Sequence, residues 1–258
     1  MPFRTNIQAH SNRWIGSAGG CGESEVELKE GSMTKKLTLL ACLAGIWTMA
    51  AIAADAAATT KVKQHRVDPH LVEQGKRVFG QFCVPCHQEE GKGKVGFAPS
   101  LTNQELLSIA SDRFLSQTIH DGRADTPMPP WAGVLKPKQI KAVVAYLRSF
   151  EKASSRGDEV DAAAPSQGDV QMGQQRFEEI CSACHGVHGE GYAAGGSGTA
   201  IGKVGFLSKA SDGFIRATIE SGRSSTPMHG FIGASGLAHL TDQEIDGIVA
   251  YLRSQQTK

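Results

Sequence analysis

The spacing of apolar residues predicts a chain built of α-helices. Between Ile140 and Leu147 the apolar residues recur three and four positions apart, which is the period of one helix face. Another segment opens with Asp68 and a proline, a common helix start, and a third runs from Ser111 as N-cap to Gly122. No segment alternates apolar and polar residues as a half-buried strand would. The sequence therefore predicts an all-α fold.

This helical pattern occurs twice along the chain. The matching segments are 75–87 with 173–185 at an offset of 98, 114–128 with 214–228 at an offset of 100, and 140–148 with 245–253 at an offset of 105. The offset grows only in glycine-rich or turn-like segments, which indicates a duplication followed by loop insertions. We predict two domains, 68–152 and 168–258, joined by the polar and aperiodic linker 153–167.

The segment 33–54 has the layout of a secretory signal peptide. Lys35 and Lys36 precede an apolar run that ends in small residues suited to cleavage. The alternative is a retained membrane anchor, because about 18 apolar residues is the lower limit for a span. Residues 1–32 are polar and aperiodic, so we interpret them as a non-native upstream extension, with translation starting at Met33. Either interpretation places the domains in the periplasm, free or tethered to the inner membrane.

Composition narrows the function further. The chain has 258 residues and a formal net charge of +1, which does not indicate a nucleic-acid partner. Aromatic residues make up 6% of the chain, so two domains of this size have a thin core unless a cofactor fills it. Residues 70–152 carry a net charge of +3 and residues 169–258 carry −2. This difference is either ordinary variation or a means of orienting the molecule between two partners.

Each predicted domain carries one Cys-x-x-Cys-His motif. A redox disulfide would need a βαβ pattern, which is missing, and a zinc site would need the two motifs to converge. Covalent haem attachment fits better, because two cysteines can form thioethers with the haem vinyl groups while the histidine binds the iron from the same helical turn. The attachment residues are Cys83, Cys86, Cys181 and Cys184, and the proximal ligands are His87 and His185. The predicted cofactors are two covalently bound haem c groups with iron.

Two methionines are candidates for the sixth iron ligand. Met128 lies 41 residues after His87, and Met228 lies 43 residues after His185. A methionine is usually core filler, but these two recur at the same repeat position, each after Thr-Pro. Five other candidates have no counterpart in the other domain and are interpreted as surface or packing residues: His120, Met172, His188, His229 and His239.

With these motifs, each unit resembles a class I cytochrome c domain, and the pair resembles bacterial dihaem cytochromes c over nearly all of 68–258. The stretches QTIHDGRADTPMPPWAG and LKPKQIKAVVAYLRSF are similar to domains of the dihaem subunit of cbb-type oxidases and of cytochrome subunits of periplasmic dehydrogenases. The resemblance implies that Gly75 and Phe79 pack near Tyr146. It also implies that the Pro99 carbonyl accepts the Nδ1 proton of His87 and orients that ligand.

The second unit departs from this pattern. It has no proline between Cys184 and Pro227, so either another carbonyl orients His185 or that haem is held more loosely. We therefore expect the two haems to differ in potential. Arg123 and Arg223 are either contacts to haem propionates or solvated turn residues.

The resemblance and the ligands together predict an electron carrier. If both methionines bind iron, neither haem has an open position, and His/Met ligation suits transfer at high potential. The expected partners are redox proteins, with a dehydrogenase or cytochrome bc-type donor and an oxidase or reductase acceptor. Two alternatives stay open: a dihaem enzyme such as a peroxidase or thiosulfate dehydrogenase, or a fixed subunit of an oxidase or dehydrogenase complex.

Overall fold

The computed structural model describes residues 67–233 and 238–256, and within these ranges the chain is helical, with one isolated β-bridge between Lys94 and Ala98. The all-α prediction is confirmed. The predictions for residues 1–32 and 33–54 lie outside the described residues. Among the described helices, none combines the length and apolarity needed to cross a membrane.

Two similar sets of helices follow each other along the chain. The first set is α1 Pro69–Phe82, α2 Val84–His87, α3 Gln104–Ile109, α4 Asp112–Asp121 and α5 Pro137–Arg148. A short helix, α6 Gly157–Asp161, follows. The second set is α7 Val170–Arg176, α8 Ser182–His185, α9 Val204–Leu207, α10 Asp212–Ser221 and α11 Asp242–Gln255. Single helical turns of other types occur at Glu89–Gly91, Phe177–Cys181 and Gly191–Ala194.

The first and last helices of each domain cross at a glycine. A Cβ atom on Gly75 would lie 1.9 Å from the Ala142 carbonyl oxygen, and one on Gly173 would lie 1.8 Å from the Gly247 carbonyl oxygen. Only glycine allows backbones this close. One turn further along α1, the Phe79 ring packs on a tyrosine of α5 with ring centroids 5.3 Å apart, and the second domain repeats this pair at the same distance.

A repeated arginine ties the last helix of each domain to its neighbours. Arg148 donates to the Asp112 carboxylate at 2.8 Å and to the Leu107 carbonyl at 2.7 Å, near the C-terminal end of α3. Arg253 makes the equivalent bonds in the second domain, at 2.5 Å to Asp212 and 2.5 Å to a backbone carbonyl. Because helix C-termini leave carbonyls without partners, these arginines satisfy groups that would otherwise be buried and unbonded.

The two domains meet through equivalent residues. The rings of Phe114 and Phe214, which occupy the same repeat position, stack with centroids 4.4 Å apart and planes 28° apart. Ser111 and Ser211, the N-caps of α4 and α10, both donate their hydroxyl protons to the carboxylate of Asp161. A contact in which each residue meets its own counterpart has the pattern of an approximate two-fold axis.

The segment 153–167, predicted as an aperiodic linker, contains α6 and packs against both domains. Val160 is 6% exposed, and a Cβ atom on Gly157 would lie 2.5 Å from the Ala110 carbonyl oxygen. Asp161 at the end of α6 supplies the carboxylate between the two serine N-caps. The connection is therefore a packed element of the interface, which polar composition alone did not indicate.

Candidate functional site

The first cysteine motif occupies the break between two helices. Cys83 lies between α1 and α2, and Cys86 and His87 complete the single turn of α2. Neither cysteine forms a disulfide within the described residues; Cys83 is half-buried and Cys86 is exposed. Before haem attachment, burial and, to a smaller extent, Cys86 raise the pKa of the Cys83 thiol to about 11. Burial and, to a smaller extent, Cys184 raise the pKa of the Cys181 thiol to about 12. The two thiols of each motif thus lie one turn apart and beside a histidine.

His87 is buried and its ring orientation is fixed by a backbone carbonyl. Its Nδ1 atom lies 3.0 Å from the Pro99 carbonyl oxygen, the partner implied by the family resemblance. Because a carbonyl oxygen can only accept, Nδ1 carries the proton and Nε2 is left with a free lone pair. Burial and, to a smaller extent, the nearby positive charge of Arg123 lower the pKa of His87, although the bond to Pro99 opposes them. The neutral imidazole can therefore offer Nε2 to a metal.

In the second domain Thr199 supplies the carbonyl that the sequence left unidentified. His185 Nδ1 lies 2.8 Å from the Thr199 carbonyl oxygen. The preceding residue, Gly198, passes so close that a Cβ atom on it would lie 2.6 Å from His185 Nδ1. The glycine-rich stretch was the available signal, because a backbone that approaches a ring this closely needs a residue without a side chain. Of the two alternatives for His185, the structure thus has the one in which another carbonyl replaces that of a proline.

The candidate sixth ligands lie on two turns with the same hydrogen bonds. Arg123 N–H donates to the Met128 carbonyl at 3.0 Å, and the Thr126 hydroxyl donates to the Arg123 carbonyl at 2.7 Å. Arg223 N–H donates to the Met228 carbonyl at 2.6 Å, and a threonine hydroxyl closes the second turn at 2.8 Å. Both methionines are half-buried. The turns are thus closed by their own backbone and threonine groups.

The two candidate propionate contacts differ in their surroundings. Arg223 donates to the Gly222 carbonyl and to the Thr218 hydroxyl, both at 2.8 Å and both in its own domain. Arg123 instead reaches into the second domain, donates to the Ala200 carbonyl and lies 4.9 Å above the ring of Phe206. Burial lowers the pKa of Arg123 and of Arg223 to about 10, so both stay protonated at neutral pH.

These residues fit a haem c group in each domain. Neither Arg123 nor Arg223 forms an ion pair within the described part of the chain, and the buried Nε of Arg123 has no hydrogen-bond partner there. A half-buried cation without an anion suits a propionate. Each domain also offers two thiols, a histidine with a free Nε2 and a methionine. Across the described residues, no three His, Cys, Asp or Glu side chains converge on a metal site, as a shared zinc centre would need.

Comparisons with known proteins match both halves of the chain. Residues 70–147 match the family model "Cytochrome C oxidase, cbb3-type, subunit III", and residues 170–256 match the model "Cytochrome c". The subunit CcoP of the cbb3-type oxidase of Rubrivivax gelatinosus is 33% identical over 137 residues, which are 53% of this chain and 41% of that protein. The FixP subunit of Rhizobium etli is 27% identical over 212 residues, which are 78% of this chain and 68% of that protein.

The chain thus spans less than half of the Rubrivivax subunit and about two thirds of the Rhizobium subunit. Among solved structures, a reducing HAO-like protein complex of Kuenenia stuttgartiensis aligns with a TM-score of 0.45 and 24% identity. That alignment covers 71% of this chain and 96% of the other.

Proposed function

We propose that the chain is an exported carrier of single electrons, with His/Met ligation at both irons. It consists of two cytochrome c-type domains in tandem and is homologous to dihaem subunits of cbb3-type oxidases. It therefore binds two haem c groups. The observation that carries the proposal is the repeated turn before Met128 and Met228. In each domain this turn accompanies a histidine whose Nδ1 is already bonded to a carbonyl. We assign His87 and Met128 to one iron, and His185 and Met228 to the other.

When bound, each haem supplies a one-electron couple between Fe(III) and Fe(II). The residues proposed to hold each iron are fixed by hydrogen bonds, so they would move little when the iron changes charge. Thr126 and Arg123 close the Met128 turn, and the Pro99 carbonyl retains the Nδ1 proton of His87. If His87 and Met128 held one iron and His185 and Met228 held the other, neither iron would keep a position for a substrate. The proposed role is therefore transfer of electrons without turnover of peroxide or thiosulfate.

The proposed partners are redox proteins. The relatives are named as subunits of cbb3-type cytochrome c oxidases, so we propose an oxidase-type acceptor, with a dehydrogenase or cytochrome bc-type protein as donor. We place the two domains in the periplasm, with 33–54 either cleaved or retained as a tether to the inner membrane. N-terminal sequencing of the protein purified from its cells tests both the start at Met33 and the cleavage.

Three variants test the ligation. Met128→Ala and Met228→Ala should each remove one of two Met-to-Fe(III) charge-transfer bands in the red and create one high-spin haem. The control Met172→Leu alters a half-buried methionine of α7 and should retain both bands. The wild type should accept two electrons per chain and show no peroxidase or thiosulfate dehydrogenase activity. Two unchanged bands in either alanine variant, or turnover by the wild type, would contradict the proposal.

A further inference from the structure

The two domains use equivalent arginines in different ways. Arg223 donates to the hydroxyl of Thr218, one turn before it in the same domain, at 2.8 Å. Thr118 occupies the same repeat position as Thr218, yet its buried hydroxyl has no hydrogen-bond partner among the described residues. Its expected partner, Arg123, donates to the Ala200 carbonyl of the second domain instead. The symmetry of the repeat is thus broken at this residue.

The carbonyl that Arg123 binds adjoins the one that orients the second proximal histidine. Ala200 directly follows Thr199, whose carbonyl oxygen lies 2.8 Å from His185 Nδ1. The Phe206 ring, 4.9 Å below the guanidinium, supports the side chain on the second domain. A continuous path of contacts therefore leads from the turn that carries Met128 to His185.

The backbone beside Arg123 also lies against the second domain. A Cβ atom on Gly205 would lie 2.3 Å from the Ala124 nitrogen, so the turn is in close backbone contact there. The reciprocal turn uses different chemistry: Ser224 donates its hydroxyl to the Glu105 carboxylate at 2.9 Å, and Asn103 donates to the Ser224 carbonyl at 3.0 Å. That contact involves residues at the start of α3 and not the residue next to Pro99, whose carbonyl serves His87.

We propose that Arg123, a residue of the first domain, is a positioning residue for the haem of the second domain. It fixes the Thr199–Ala200 segment and so sets the strength of the hydrogen bond to His185. The inference rests on the proposed role of His185 as an iron ligand. Arg123 therefore acts in two ways: its charge acts on the first haem, and its hydrogen bond acts on the ligand of the second.

The two actions change the haem potentials in opposite directions. Removing the positive charge of Arg123 stabilises Fe(III) in the first domain, so the midpoint potential of that haem falls. Releasing Thr199 weakens the bond to Nδ1, which makes the imidazole of His185 a poorer electron donor, stabilises Fe(III) less and raises the second midpoint. A fivefold change in the Fe(III)/Fe(II) ratio corresponds to about 40 mV, at about 59 mV per tenfold for one electron.

Spectroelectrochemical titration of the holoprotein tests this with three variants. Arg123→Lys keeps the charge but loses the planar guanidinium, so the second midpoint should rise while the first stays constant. Arg123→Gln should raise the second midpoint and lower the first. The matched control, Arg223→Lys, alters an arginine that bonds within its own domain, and the first midpoint should not change. Each midpoint is assigned to its domain with Met128→His and Met228→His.

A purely electrostatic role predicts a different result. In that case Arg123→Gln lowers both midpoints and Arg123→Lys changes neither, and either outcome overturns the inference. Exchange of the His185 Nδ1 proton in the reduced protein, followed by NMR, gives a second measurement and should be faster in Arg123→Lys. If Arg123→Gln binds too little haem, Arg123→Lys and Arg223→Lys still distinguish a positioning role from a purely electrostatic one. Absence of Met-to-Fe(III) bands from the wild type would instead contradict the proposed function.

Discussion

Substitution of Asp161 by alanine should loosen the contact between the two domains. Its carboxylate, 11% exposed, accepts hydrogen bonds from Ser111, from Ser211 at 2.8 Å and from Arg113 at 2.8 Å. The two serines are equivalent N-caps in different domains, so one side chain of the connecting helix joins both. The alanine variant leaves all three donors without this acceptor.

The expected loss of stability follows from these three bonds. A hydrogen bond to a charged group contributes about 1.5–3 kcal/mol, but Arg113 is 50% exposed and its bond contributes much less. The serines also keep their N-cap bonds to Phe114 and Phe214. We therefore expect the free energy of unfolding to fall by about 3 kcal/mol, since the two bonds from the serine hydroxyls are lost completely. For a unit of this size, that lowers the Tm by about 6–12 °C.

The effect should depend on pH in one direction. Burial alone would raise the pKa of the Asp161 carboxyl, but the bonds from Ser111, Ser211 and Arg113 outweigh it, and the pKa lies below its ordinary value. A carboxyl whose pKa is lower in the folded state stabilises the protein at pH values above its unfolded-state pKa of about 3.9. This stabilisation is lost as the pH falls through the folded-state pKa. Wild type and variant should therefore converge in acid.

Thermal unfolding of the holoprotein, followed by circular dichroism from neutral to acid pH, measures this. Glu159→Ala, an exposed acidic residue of the same helix, is the matched control and should change stability by less than about 0.5 kcal/mol. If Asp161→Ala unfolds within the range of that control, or if the difference persists unchanged in acid, the assigned role of the carboxylate is wrong.

Two further predictions concern the helix crossing and the second proximal histidine. Gly75→Ala should lower the free energy of unfolding in urea by about 3 kcal/mol, because its Cβ would lie 1.9 Å from a carbonyl oxygen of α5. The control is Gly80→Ala, whose Cβ would meet nothing within 4 Å and which should raise the free energy of unfolding by about 0.5–1 kcal/mol. Gly198→Ala should change the visible spectrum of one haem only, because a Cβ would lie 2.6 Å from a ring nitrogen of the second proximal histidine.

The sequence indicated those features that depend on local spacing. Helix periodicity and capping residues predicted α4 from Ser111 to Gly122, and the structure has Ser111 as the N-cap, accepting the Phe114 N–H at 3.0 Å. The repeat likewise predicted two similar helical domains. Helix periodicity and caps need only a few neighbouring residues to be recognised, and the repeat needs only a comparison of such segments along the sequence.

The sequence did not indicate contacts that depend on the second domain. Arg123 and Arg223 stand in the same local motif, so nothing near them in sequence distinguishes the one that crosses to Ala200. Asp161 looked like an ordinary polar residue of a linker, because its partners lie 50 residues away on either side. Thr199 lies in a glycine-rich stretch that suggested close backbone approach but not which carbonyl would bond to His185.

Near-infrared magnetic circular dichroism of the fully oxidised protein is the most direct test of methionine ligation in both domains, because it identifies the axial ligands of each low-spin haem. We expect two haems per chain, both with a Met-to-Fe(III) transition and neither high-spin. A single such transition, or a haem with a vacant axial position, would contradict ligation by both Met128 and Met228.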